Sequence, residues 1–109
     1  MEADGKPTSF EAEVYRVTIG IPAGKVAGYG WIVRQLGRGS ARAVGRALGK
    51  NPFAPQVPCH RVIRSDGHLG GFMGAVAGPT VERKRELLSA EGVEFCAAGR
   101  LIERQRFLR

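Results

Sequence analysis

With 109 residues the chain can build one modest hydrophobic core and not two, and its 43% hydrophobic and 25% charged composition belongs to a globular protein in water. No apolar run approaches the roughly 20 residues of a membrane span, and the start, MEADGKPTSFEAEVY, lacks a secretory apolar stretch, so no membrane partner and a cytoplasmic location are expected. A net charge of +7, carried by 13 arginines among 17 cations, points to nucleic acid as the partner, against the plainer reading of a basic surface that serves solubility.

Residues 1–7 are polar and are expected to fray. Thr8 and Glu11 form a capping box, and Phe10, Val14, Val17 and Ile21 recur at helical spacing, which predicts a first helix over Ser9–Ile19. GIPAGKVAGYG, broken by Pro22 and glycines, reads as a loop ending at Tyr29. A second short helix, GWIVRQLG, turns Ile32, Val33 and Leu36 inward and stops at Gly37. After RGS, with Ser40 as cap, ARAVGRALG forms a third helix that ends near Gly49.

Two short helices joined by a tight glycine-containing turn outline a helix-turn-helix, with the third helix as the reader. Ala41, Ala43, Gly45, Ala47 and Gly49 carry almost no side chain, so this helix can press its backbone close to another surface. Arg42 and Arg46 stand at i and i+4 on one face. A solvated charged face over a small-residue packing helix fits that spacing equally well.

Three prolines before Cys59 forbid a long regular element there. Val62 and Ile63 suggest a brief strand, SDG a turn and GHLGGF a glycine loop. Pro79 and Thr80 open a fourth helix in which Val81, Lys84, Leu87 and Leu88 face inward, and Gly92 ends it. VEF and RLI around CAAG predict a small hairpin, followed by a basic tail.

The chemistry concentrates in PCHRVIRSDGHLGGF, residues 58–72. Without a secretory signal, a disulfide between Cys59 and Cys96 is not expected, and Cys96 reads as hairpin filler. Cys59, His60, His68 and Cys96 lack metal-ligand intervals, so no metal is expected. Cys59 can be a buried structural thiol or a nucleophile, and His60 and Arg61 beside it both favour a thiolate. Adjacent residues on a strand face opposite ways, so a cysteine and histidine pair needs a bend, which Pro58 makes plausible, or a bridging water. Glu91 ends the fourth helix, a poor place for a negative charge unless a donor holds it. An imidazole would be such a donor and would complete a Cys, His, Glu relay, although an exposed glutamate beside a capping glycine fits the same residues.

The run IPAGKVAGYGWIVRQLGRGSARAVGRALGKNPFAPQVPCHRVIRSDGHLGGF, with KRELLSAEG behind it, resembles the DNA-binding, active-site domain of the O6-alkylguanine-DNA alkyltransferases from about Val14 to Val93. The resemblance implies a mainly α, winged helix-turn-helix domain with short strands and a small C-terminal hairpin, spanning residues 1–109 as one unit. It implies that Cys59 accepts the alkyl group, that His60 activates it through a water, that Glu91 orients His60 and that Asn51 braces the turn. Arg42 is implied to enter the base stack where the damaged nucleotide has rotated out, and Tyr29 to crowd the adjoining phosphate and assist proton delivery. Ser40, Ala41, Gly45 and Arg46 would meet DNA, and Val57, Pro58, Trp31, Gly71, Phe72 and Met73 would line the alkylguanine pocket.

The expected activity is therefore irreversible transfer of an O6-alkyl group from duplex DNA to Cys59 by a monomer without a cofactor. Extrusion of the base costs a few kcal/mol, and a helix so short of side-chain bulk suits the narrow minor groove. Phe72 departs from the family's usual tyrosine and removes a hydroxyl, a loss of about 0.5–1.5 kcal/mol if that group bonds the base. The size of the chain and its tail are closer to the alkyltransferase-like proteins, which bind alkylated guanine without an acceptor cysteine. The rival expectation is thus a lesion sensor that hands damage to nucleotide excision repair proteins. A plain helix-turn-helix regulator would leave Cys59, His60 and Glu91 unexplained.

Overall fold

The computed structural model describes residues 7–53, 56–70 and 78–108. Helix α1 (Ser9–Ile19) begins at the predicted capping box, with Thr8 Oγ1 accepting from the Glu11 N–H at 3.1 Å and Glu11 Oε1 accepting from the Thr8 N–H at 3.0 Å. Helix α2 (Tyr29–Leu36) ends on Gly37, whose φ of 74° is the left-handed conformation that glycine adopts without strain. Helix α3 (Ala41–Gly49) starts at Ser40, which accepts from the Ala43 N–H at 3.1 Å, a cap that stabilises by about 1 kcal/mol. Helices α1, α2 and α3 pack on one another. Tyr15 ties the first to the third through a buried bond from its hydroxyl to the Ala47 carbonyl at 2.7 Å.

Two differences from the sequence reading appear around this bundle. The segment expected to be loop contains strand β1 (Val26–Gly28), and the expected basic tail ends in β3 (Phe107–Leu108). With β2 (Val62–Ile63) they form a parallel sheet in the order β2, β1, β3. Pieces of two or three residues are too short for alternation to register in sequence, and their partners lie far along the chain. Parallel neighbours need crossovers, which here are α2 with α3 and then α4 (Pro79–Ala90).

The sheet divides two cores by its period of two. Ala27, Val62 and Leu108 join Val14, Ile32, Val44 and Leu48 on the side of the first three helices. Val26, Ile63 and Phe107 face Leu88, Val93 and Phe95 on the side of α4. The predicted C-terminal hairpin is present as a bridge between Phe95 and Leu101, closed by the Cys96 N–H to the Arg100 carbonyl at 2.8 Å. The expected fraying of residues 1–7 falls, apart from Pro7, outside the described residues. Among the described residues no helix is long and apolar enough to cross a membrane.

Candidate active site

Cys59 lies where the two halves meet. Pro58, with φ −80° and ψ 68°, turns the chain out of the preceding loop, and residues Cys59–Arg61 form one tight 3-10 turn before β2. That turn is the bend that takes Cys59 and His60 off a strand, where adjacent side chains would face opposite ways. Cys59 is 5% exposed within the first core, beside Val57 and Val62. Burial pushes its thiol pKa up, while a hydrogen bond from the Asn51 side chain and the positive charge of Lys84 pull it down. Cys59 is not in a disulfide.

Asn51 closes the loop that delivers the cysteine. Its Nδ2 donates to the Val57 carbonyl at 2.9 Å and its Oδ1 accepts from the Phe53 N–H at 2.9 Å. An asparagine meets both needs because one side chain carries a donor and an acceptor. Tyr29, at the first position of α2, has its hydroxyl pKa raised by burial and by the nearness of a Cys59 negative charge. Its ring lies 3.9 Å from the point where a Cβ on Gly45 would sit, which places the tyrosine beside α3.

His60 is buried, and its Nε2 stands 2.9 Å from Glu91 Oε2. The glutamate is the C-terminal cap residue of α4, and its side chain is 18% exposed, so it is not the free surface carboxylate that the sequence also allowed. Arg61, expected to support the thiol, turns to the carboxylate instead. Its Nε and Nη2 donate to Glu91 Oε1 and Oε2 at 3.0 and 2.9 Å, and its Nη1 reaches the Ile21 carbonyl at 2.8 Å. Burial works to raise the Glu91 pKa, but the bonds from Arg61 and His60 outweigh it and hold the carboxyl below its ordinary range. With a carboxylate on Nε2, the imidazole ring is held in one orientation.

Lys84 is the group whose use the sequence did not disclose, although its inward position in α4 was legible. It is 0% exposed, and its ammonium donates to the Val62 and Leu69 carbonyls at 2.8 Å each. Burial lowers its pKa to about 7, opposed by the attraction of Cys59. A lysine on an otherwise apolar helical stripe is the signal that could have marked it.

The remaining expected residues divide by position. Arg42 and Arg46 are exposed on α3, as is Ala41, while Ser40 caps the helix. Val57 and Pro58 are buried beside Cys59. Trp31 lines a cleft with Arg34, Ser65, Arg104, Phe107 and Leu108, and among the described residues that lining includes neither Val57 nor Pro58. Gly71, Phe72 and Met73 lie outside the described residues. Among the described residues no cluster of three or more metal-ligating side chains occurs.

Comparison with known proteins gives a concordant picture. Residues 9–93 match the family model described as 6-O-methylguanine DNA methyltransferase, DNA binding domain. The chain is 49% identical over 86 residues to the methylated-DNA–protein-cysteine methyltransferase of Salmonella typhimurium, covering 78% of this chain and 47% of that protein. It is 45% identical over 92 residues to the Mycobacterium tuberculosis protein of the same name, covering 84% and 53%. It thus spans about half the length of these relatives. Among solved structures, M. tuberculosis OGT in complex with DNA aligns with TM-score 0.69 at 45% identity, over 79% of this chain and 51% of that one. S. pombe Atl1 in complex with damaged DNA containing O6-carboxymethylguanine aligns with TM-score 0.77 at 28% identity, over 95% and 98%.

Proposed function

Because the chain belongs to the family defined by the 6-O-methylguanine DNA methyltransferase DNA-binding domain, we propose that it repairs alkylated DNA by taking the O6-alkyl group of a guanine onto Cys59. The observation that carries this reading is the set of partners around one buried thiol: Asn51 and Lys84 acting on Cys59, Tyr29 close by, and His60 held by Glu91.

In the proposed reaction, Arg42 fills the space left as the alkylated guanine rotates out through the minor groove, and Val57 and Pro58, with residues 71–73, flank the base. Ser40, Ala41, Gly45 and Arg46 bring α3 against the backbone. The Cys59 proton passes through a water to His60 Nδ1, since Nε2 serves Glu91. The sulfur then attacks the alkyl carbon, an S–C bond forms and the C–O6 bond breaks. Guanine leaves with its O6 as a carbonyl and takes a proton from the Tyr29 hydroxyl, which is restored by way of water with the proton that His60 took from Cys59. A thioether has no easy route back, so each molecule acts once, as a monomeric single domain in the cytoplasm where chromosomal DNA is available.

The test is intact-mass measurement after incubation with a duplex containing O6-methylguanine. A gain of one methyl group, mapped to Cys59, is expected. Binding of that duplex with no adduct on Cys59 would overturn the transfer. The near-complete mutual coverage with Atl1 favours one second reading, in which the chain holds alkylated guanine for excision repair proteins without removing the alkyl group. Under that reading Cys59→Ala leaves binding unchanged, and the lesion persists in DNA recovered from the wild-type protein.

A further inference from the structure

Beside α2, two adjoining hollows of about 330 and 410 Å³ share Ser65, Arg104 and Phe107. Trp31 and Arg34 stand at one end and Arg100 at the other. The acidic side chain on this lining, Asp66, is already neutralised by Arg64 at 2.7 Å. Arg100 donates to the Asp66 carbonyl at 3.3 Å, and its charge also acts on the Asp66 carboxylate, so one carboxylate serves both Arg64 and Arg100. Arg34 and Arg104 form no ion pair or hydrogen bond among the described residues. Three arginines therefore border these hollows against one carboxylate, and among the described residues the Coulomb repulsion between them is only partly answered.

The rest of the lining specifies the kind of anion. Ser65 Oγ accepts from the Gly30 N–H at 3.2 Å, so the hydroxyl is fixed in place and its own proton can be given to an acceptor in the cleft. Trp31 and Phe107 are half-buried and present apolar wall that a compact inorganic ion does not need. A channel with cations along its length, a hydroxyl donor and apolar sides fits a sugar-phosphate strand. Its position agrees, because Gly28 and Ser65 of the lining adjoin Tyr29 and Gly30, and the Tyr29 ring rests against Gly45 of α3.

We propose that this cleft grips the phosphodiester backbone of duplex DNA flanking the damaged base, with Arg34, Arg100 and Arg104 as phosphate ligands and Ser65 as an added donor. The proposal rests on the reading of α3 and Tyr29 as the DNA-binding face and extends that face around α2.

The experiment is an equilibrium anisotropy titration of the full chain against a lesion-containing duplex at several NaCl concentrations, with adduct mass measured on the same samples. Removing one phosphate ligand makes the slope of log K against log salt shallower by about 0.9, so the affinity drop between about 50 and 200 mM salt shrinks roughly 3.5-fold per arginine removed. Arg34→Gln and Arg104→Gln are each expected to show that change, while Arg34→Lys keeps the wild-type slope. Arg83→Gln, exposed on α4 and paired among the described residues with Glu86 at 3.6 Å, is the control for a change in total charge and is expected to leave the slope as it was.

Wild-type slopes in Arg34→Gln and Arg104→Gln, with duplex binding and adduct intact, overturn the cleft and leave the alkyl-transfer reading standing. Altered slopes without any adduct support the cleft and remove alkyl transfer. A wild-type chain that does not bind the duplex overturns both. Inorganic phosphate, added at constant ionic strength, is expected to leave binding unchanged; displacement of the duplex by phosphate alone marks a single-ion pocket and overturns the backbone assignment.

Discussion

Arg61→Lys tests whether the fork of a guanidinium, and not merely its charge, holds the site together. Arg61 uses two N–H groups on Glu91 and a third on the Ile21 carbonyl, joining the end of α4 to the segment after α1. A lysine keeps the charge and can keep one bond to the carboxylate, but it cannot reach both oxygens and the carbonyl together. The loss is then one charge-assisted bond, about 1.5–3 kcal/mol, and one bond to a neutral carbonyl, about 0.5–1.5 kcal/mol. Both side chains are 18% exposed, and water recovers part of this, which leaves a net cost of about 2 kcal/mol. Urea denaturation should show the midpoint falling by roughly 1 M with an unchanged slope. Arg61→Met, which removes all three bonds, should cost more. Equal stability of the lysine variant and the wild type would refute the argument, because charge alone would then be sufficient.

The other predictions concern the thiol, its loop and the DNA face. Lys84, with a pKa of about 7 in the fold against 10.5 ordinarily, binds fewer protons folded than unfolded between those values. The penalty of burying its cation is full below that window and fades through it, so stability rises with pH by at most about 1.4 kcal/mol per unit. Lys84→Met should flatten the rise in thermal stability between about pH 7 and 8.5; a variant that keeps the wild-type rise removes Lys84 as its source. Asn51→Ala should cost about 2–3 kcal/mol, since it strips one buried and one half-buried bond that close the loop before Cys59. It should also move the pH profile of Cys59 alkylation to higher pH, because a donor that lowers the thiol pKa is gone; an unmoved profile would contradict that role. Arg42→Ala should weaken lesion binding more than Arg38→Ala, as Arg38 is already engaged with Glu13 at 3.0 Å and lies over the Phe10 ring at 5.2 Å. Equal losses in an equilibrium titration would reduce Arg42 to a phosphate contact.

Those parts of the protein that local physics governs could be read directly from the amino-acid chain. The capping box at Thr8 and Glu11, Gly37 after α2 and Ser40 before α3 mark helix ends through bonds made within a few residues, so those boundaries were legible. The motif around Cys59 was legible as a resemblance, and Glu91 was already suspect because a carboxylate at a helix end needs a donor. Folding settled whatever depends on distant partners. Strands β1 and β3 are two or three residues long and exist only because each finds a parallel neighbour dozens of residues away. Arg61 looked like a support for the neighbouring thiol, yet its fork reaches Glu91, thirty residues on, because the 3-10 turn after Pro58 rotates it there. Lys84 could be read as facing inward, but its place under the Val62 and Leu69 carbonyls, within the field of Cys59, is set by how α4 packs against the turn. Burial and charge at Cys59 are sums over groups that folding gathers from four separate segments, and no local pattern in the chain contains that sum.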